Sequence, residues 1–481
     1  MRYLEYYSEG KLRRVRFTGV FETVQKKRGR SLAARRAIHK PQALGGALTR
    51  TMKRQAKRLS TRFRKLSEAT TLIAPTATVG TTVVPTETVA IDGARVSEVR
   101  WMRSHHGMEI VREGRHGKVL MKAPDDSGDG IVAAFAGARA LQERGNVGAA
   151  HPNFLRVVQR PGQSSRHASS QWALDNPGSP GVIGADVHAL AAWTITEGDS
   201  AVRVAVLDEG VDTLHPHLRD SVAAEADFVD GNDHARPNGN DAHGTACAGI
   251  VVGKRKQTRG LARGVRLVAA RIAKSDSQGF WIFDDFETAD AIDWCWDDAK
   301  SDVLSNSWGG GHPADVISRA FERARTRGRA GKGAVIVIAA GNDQAEVDFP
   351  GNLPEMMTVG ASNQWDKRKT RTSEDGENWW GSNFGDALDL MAPGVSIRAT
   401  DIRGNRGYSS GLVTPDFNGT SSAAPHVAAA AALILSVKPT LDEYRVREIL
   451  NETTDPLPGG KRLVGHGRLN VYAALRAARR E

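Results

Sequence analysis

From Val202 onward, short and mostly apolar runs alternate with longer helical ones, and this pattern constrains the 481-residue chain more than any other feature. Residues 202–207, 266–272, 303–307, 334–340, 356–359 and 388–391 read as strands, and their largely apolar composition suits strands covered on both sides. Residues 242–253, 283–299, 313–327, 420–437, 441–451 and 470–478 have helical length and composition. Such alternation predicts an α/β domain with a mostly parallel, doubly wound sheet. In that architecture ligands gather at the carboxyl ends of the strands, so residues just beyond these runs are the first candidates for chemistry.

The rest of the chain is organised differently. A length of 481 residues exceeds what one hydrophobic core usually serves, which predicts more than one unit. Residues 70–88 are rich in Thr, Val and Pro without a helical period and read as a linker or edge strand, with a boundary near residue 75. Residues 94–101, 107–111 and 118–122 then read as strands and 130–144 as an Ala-rich helix, together a small α+β module. The predicted division is 1–75, 76–165 and 166–481.

Charge sets the first of these segments apart. Residues 1–70 hold twenty Lys and Arg against Glu5, Glu9, Glu22 and Glu68, so the chain's net charge of +11 resides there and the remainder is net acidic. Leu44, Leu48, Met52, Ala56, Leu59, Phe63 and Leu66 fall on one face of a predicted helix whose other face is basic. A docking or solvated helix is the expected reading. Nucleic acid is not an expected partner, because aromatic residues for base stacking are not interleaved. The two cysteines, Cys247 and Cys295, cannot form a disulfide framework and lie in no CxxC motif. The first residues lack the apolar stretch of a secretory signal, which leads to an expectation of a cytoplasmic location. No transmembrane segment is expected, since the most apolar run, 427–437, is about half of the ~20 residues a bilayer needs.

Four residues stand where the sheet rule places a site. Asp208 ends the buried run VRVAVLDEG, His243 opens HGTACAGIVV, Asn342 follows VIVIAAGN, and Ser421 lies in NGTSSAAP at the start of a long helix. Each has an ordinary structural explanation: a turn-bonded Asp, a structural His, a left-handed turn Asn, a helix-capping Ser. They also have a joint chemical one. A carboxylate that fixes an imidazole lets it take a proton from a hydroxyl, and an amide donor can hold the resulting oxyanion.

The order Asp, His, Asn, Ser, with VAVLDEGVDTLHPHL, HGTACAGI, SNSWGG, AAGND and GTSSAAPHVA, resembles the subtilisin-like serine proteases (peptidase S8) over residues 171–478. That resemblance implies a serine endopeptidase in which Asp208 orients His243, His243 is general base and acid, Ser421 is the nucleophile, and Asn342 with the Ser421 N–H forms the oxyanion hole. It makes His426 a structural helix residue. It also implies that Ser307, Trp308, Gly309 and Gly310 bind the backbone of an extended protein or peptide substrate. Glu209 departs from the family, which usually has Ser or Thr there, and is expected to point outward. Asp348, in VDFPG, falls at the base of the first specificity pocket, where it favours Arg or Lys at P1 or else forms a local turn.

The same resemblance makes residues 90–160 a propeptide, an intramolecular chaperone and inhibitor of a zymogen. A linker with Ser164, Ser165 and Arg166 follows; cleavage after Arg166 suits a basic preference better than cleavage after Arg160, which precedes Pro161. No cofactor is required. Structural calcium is common in the family, but Asp227, Asp230 and Asp233 are too loosely spaced to be assigned as ligands, so no metal residue is named.

Overall fold

The computed structural model describes residues 3–8, 10–16, 81–124, 130–159, 171–275 and 280–481. The predicted 43–66 helix, the boundary near residue 75, and Arg160, Ser164, Ser165 and Arg166 lie outside these residues. The chain divides into two compact units: Met1–Gln159 with Asp276–Phe286 and Gly311–Val316, and Arg160–Ser275 with Glu287–Gly310 and Ile317–Glu481.

The larger unit is built on a seven-stranded, all-parallel sheet. Its strands lie in the order Leu390–Pro393, Met357–Ser362, Val335–Ala339, Val303–Asn306, Arg203–Asp208, Arg266–Arg271 and Val222–Asp227. The chain enters at Arg203–Asp208, fills the strands on one side, and then crosses to Val303–Asn306 to fill the other. That reversal of direction leaves a crevice at the carboxyl ends of the central strands. Register puts Val303 and Leu267 beside Val204, and Arg271 beside Asp208. Six of these are the predicted strands to within a few residues, Val222–Asp227 is an additional edge strand outside that prediction, and the α/β architecture is the one expected.

The helix Thr420–Val437 is the centre of the core. Every residue from Thr420 to Leu435 is buried, and its run of alanines lets it lie close to its neighbours. Among the described residues it is the one helix long and apolar enough to cross a bilayer by length and composition, yet it is apolar all round because protein surrounds it on every side. Burial of Val427, Leu433, Ile434 and Leu435 contributes about 1.5–3 kcal/mol each. A second anchor is ionic: Arg323 donates two hydrogen bonds to Asp293, Nε to Oδ1 at 3.0 Å and Nη2 to Oδ2 at 2.7 Å, with both side chains buried. Removing one partner would leave a buried charge uncompensated, a loss of about 3–5 kcal/mol.

The smaller unit carries an antiparallel sheet in the order Phe280–Asp284, Ala149–Gln159, Thr81–Asp92, Val119–Lys122, Glu109–Glu113. Helices Val96–His106 and Gly130–Glu143 belong to the same unit. The predicted strand 94–101 is therefore replaced by a helix from Val96 onward. Val96, Val99 and Trp101 suggest a strand by type, but Glu98 and Met102 are the buried pair, four residues apart, and Gly107 ends the helix at φ 61°. In the described part of the N-terminal segment, Tyr3–Ser8 and Lys11–Arg16 form a hairpin about Gly10, at φ 67°. Tyr6 buries its ring against Phe135 and Phe154, with centroids 5.8 and 5.5 Å away.

The last strand of the module adds to Phe280–Asp284, with Gln159 opposite Phe280 and Leu155 opposite Asp284. Side chains fix that pairing. Arg156 and Asp285, both buried, bond at 2.5 Å, and Arg156 also donates to the His312 carbonyl at 2.6 Å. Asn153 donates to Asp284 at 2.8 Å and accepts the Phe286 N–H at 3.2 Å, so it serves one of the partnerless amides at a helix start. Ser8 of the hairpin donates to Asp315 at 3.0 Å.

Candidate active site

Asp208 is the last residue of its strand, and His243 is the first of the helix His243–Val252. The imidazole Nδ1 lies 2.9 Å from Asp208 Oδ2 and 3.0 Å from Oδ1, and both side chains are buried. A buried carboxylate on Nδ1 keeps the proton there and leaves Nε2 as the basic nitrogen. Such a close approach depends on Gly244: a Cβ there would meet the Gly210 carbonyl at 2.3 Å and the Asp208 Cβ at 2.8 Å. The Phe417 ring packs on the imidazole in a T-shaped arrangement, with centroids 5.1 Å apart, so the imidazole is held between a carboxylate and an apolar side chain.

Ser421 occupies the first turn of the core helix, and the sequence there explains its ties. Pro425 has no N–H to give the carbonyl four residues before it, which is that of Ser421. That carbonyl accepts instead from the Ser307 hydroxyl at 3.0 Å and from the Cys247 thiol at 3.4 Å. The helix start is thereby pinned to the end of Val303–Asn306 and to the helix of His243. Ser421 Oγ donates to the Ser307 carbonyl at 3.3 Å, the long end of the hydrogen-bonding range, so rotating it toward an imidazole costs little. Cys247 is fully buried, and its Sγ lies 3.8 Å from His243 Nδ1. Burial, reinforced by the charge of Asp208, pushes its thiol well up, so it stays protonated.

Asn342 completes the group. Its Oδ1 accepts the N–H and the hydroxyl of Thr420 at 2.8 and 3.1 Å, which turns its amide toward the start of the Ser421 helix. The left-handed turn belongs to Gly341, at φ 104°, so the turn explanation for Asn342 does not apply. Gly419, at φ 115°, keeps the space open: a Cβ there would stand 3.4 Å from Asn342 Nδ2 and 3.5 Å from the Ser421 nitrogen. Asn342 Nδ2 and the Ser421 nitrogen thus lie about the same point beside Gly419.

The other predicted residues fall nearby. Ser307 is buried against Ser421 as described, whereas the Trp308 side chain is buried and stacked on Phe321 at 6.0 Å, so any contact with a peptide falls to its backbone. Gly310 donates to the Phe349 carbonyl at 2.6 Å, and a Cβ on Gly309 would stand 3.0 Å from the same oxygen. This ties the segment to Asp348, which is partly exposed and accepts the Phe349 N–H at 2.7 Å. Asp343, beside Asn342, is a carboxylate that sequence reasoning misses although it ends the motif AAGND. Burial raises it to about 6, with the charge of Asp348 adding to the rise and Arg371 opposing it. His426 is structural as expected: its Nδ1 meets the Ser422 carbonyl at 2.8 Å, and burial lowers it to about 4.

This constellation sits in a segment with many relatives. The description Subtilase family matches residues 199–467, more than half of the chain. The chain belongs to the subtilase family. A thermophilic serine proteinase from a Bacillus species is 34% identical over 342 residues, which cover 70% of this subtilase and 75% of the relative. A calcium-dependent protease from a Nostoc species is 29% identical over 427 residues, covering 80% of this chain, and the chain spans 62% of that relative's length. Among solved structures, a protease of Pseudoalteromonas arctica superposes with a TM-score of 0.53 at 27% identity, over 64% of this chain and 97% of that one.

In this subtilase Glu209 does not point outward: it is fully buried, with one carboxylate oxygen 2.7 Å from the His243 backbone nitrogen and the other 3.2 Å from the Ser275 hydroxyl. The short reach of Ser or Thr hides this option; a Glu spans to the helix start. The acidic residues considered for calcium do not fit a metal. Arg271 donates to Asp227 at 3.0 Å and to Asp230 at 2.8 Å, Lys274 donates to Asp230 at 3.1 Å, and Asp233 is exposed. Two protein cations already neutralise that cluster.

Proposed function

We propose that this subtilase is a serine endopeptidase that hydrolyses peptide bonds of extended protein substrates. The observation that carries the reading is the Asp208 carboxylate on His243 Nδ1, placed at the crevice of a parallel sheet where Ser421 and Asn342 also converge. Ser421 Oγ attacks the scissile carbonyl carbon while its proton passes to His243 Nε2. The oxygen takes up the negative charge and is held by the Ser421 N–H and Asn342 Nδ2. Collapse expels the amine, which receives the proton from His243, and water repeats the sequence on the acyl-enzyme. Asp208 stabilises the imidazolium throughout. The steps draw on these side chains, one backbone N–H and water. The test is a fluorophosphonate probe on the full chain, followed by peptide mapping: labelling at Ser421 together with cleavage of a chromogenic peptide is expected. A folded protein inert to both would favour a binding role for the fold.

The first specificity pocket is proposed to favour Arg or Lys at P1. Two carboxylates support this, Asp348 and Asp343, close enough for one to raise the other. Asp343 is protonated below about 6 and ionised above it, so the negative charge available to a basic P1 side chain grows as pH rises through that value. The ratio of kcat/KM for Arg over Leu at P1 is expected to rise with pH through this range, and taking the ratio removes any pH effect common to both substrates. Asp348→Gly is expected to lower the ratio about tenfold, the effect of ~1.4 kcal/mol. A ratio that is flat with pH and unchanged in Asp348→Gly would sink the assignment.

The module ending at Gln159 is proposed to act as intramolecular inhibitor and chaperone. Support comes from its last strand, which adds antiparallel to Phe280–Asp284, a segment inside the family match, in the way that an extended peptide joins a sheet edge.

A further inference from the structure

Glu209 holds the candidate general base at a point the family resemblance does not supply. The helix His243–Val252 begins with amides that have no intrahelical partner, and its flanking residue Ala242 has no side chain with which to cap them. Glu209 serves one of them from the neighbouring strand end, accepting the His243 N–H at 2.7 Å. Its own N–H is donated to Asp208 Oδ1 at 2.8 Å. Two consecutive residues thus grip one histidine, Asp208 by the ring and Glu209 by the backbone. The second oxygen of Glu209 accepts from Ser275, whose N–H is donated to both oxygens of Asp241 at 3.2 Å, so the same carboxylate also fixes the end of the strand Ala273–Ser275.

A ring held only through Nδ1 can still swing with the helix that carries it. With the backbone fixed as well, the position of Nε2 relative to Ser421 is determined. We infer that Glu209 is a positioning residue that sets the placement of His243 by accepting its backbone N–H while anchoring Ser275. The inference rests on the protease reading of the site. Because the role is geometric, it falls on turnover more than on substrate binding, and displacements on the order of 1 Å are enough to cost a hundredfold.

The experiment compares Glu209→Ala and Glu209→Gln with the wild-type full chain, using a chromogenic peptide for kcat and KM and a fluorophosphonate for the rate of labelling. Glu209→Ala is expected to lower kcat at least about tenfold with KM within about twofold, and to slow labelling in parallel. Glu209→Gln keeps an amide oxygen that can accept the same N–H, and is expected to stay within about threefold of wild type. Wild-type kcat in Glu209→Ala overturns the inference, as does a loss in Glu209→Gln as large as that in Glu209→Ala. Should Glu209→Ala fail to fold, Ser275→Ala removes one of the two ties; an unchanged kcat there overturns the inference, and a fall of about two- to fivefold supports it. A wild-type chain inert to peptide and probe overturns the protease reading itself, and this inference with it. An active wild type with an unaffected Glu209→Ala overturns the inference alone.

Discussion

Ser421→Ala is expected to lower peptide hydrolysis by about a millionfold, the size of loss that removal of the nucleophile gives in subtilisin, a member of the same family. The substitution deletes one oxygen whose hydrogen bond to Ser307 is 3.3 Å long, and leaves the stronger ties of the first turn untouched. The Ser421 carbonyl still accepts from Ser307 and Cys247, and Thr420 still donates to Asn342. Thermal stability should therefore stay within a few degrees of wild type. Loss of turnover with retained folding separates chemistry from architecture. Measuring kcat/KM beside a melting curve checks it, and turnover within tenfold of wild type would remove Ser421 from the mechanism. A variant that instead fails to fold would mean that the hydroxyl carries more of the helix start than its geometry indicates.

Much of this site is legible in the sequence because its parts end short apolar runs. VAVL and VIVIA are strands by composition, so the residues just beyond each run have to lie at the carboxyl edge of the sheet, where Asp208 and Asn342 are found. Ser421 is legible through the helix that it opens. What stays hidden depends on register and reach. Arg271 neutralises Asp227 because strand pairing sets those two residues side by side, a relation no local window reveals. Glu209 escapes a local reading for a similar reason, since its partners, the His243 amide and Ser275, are 34 and 66 residues away. The helix Val96–His106 reads as a strand because its residue types favour strands, whereas the Glu98 and Met102 spacing that decides the matter gains meaning only when a core is present to bury it.

Asp208→Asn tests the electrostatic half of the site, and here the local bonding predicts which way the new amide will face. Asp208 Oδ1 accepts the Glu209 N–H at 2.8 Å, a bond that only a carbonyl oxygen can replace. The amide oxygen of the variant therefore stays on that side, and its NH2 takes the place of Oδ2, 2.9 Å from His243 Nδ1. An NH2 donates, so at this shorter contact Nδ1 is favoured as acceptor with the ring proton on Nε2, in competition with the amide oxygen 3.0 Å from Nδ1. In that tautomer the nitrogen facing Ser421 can no longer take its proton. A loss of about ten-thousandfold in kcat is expected, with KM little changed, as for the same change in a serine protease triad. Asn is isosteric and leaves His243 in place, so the helix start and its tie to Glu209 should persist. Fluorophosphonate labelling should slow along with kcat without vanishing, whereas Ser421→Ala abolishes it. Equal activity in Asp208→Asn and wild type would mean that the carboxylate is a structural acceptor alone, and that the imidazole finds its tautomer by another route.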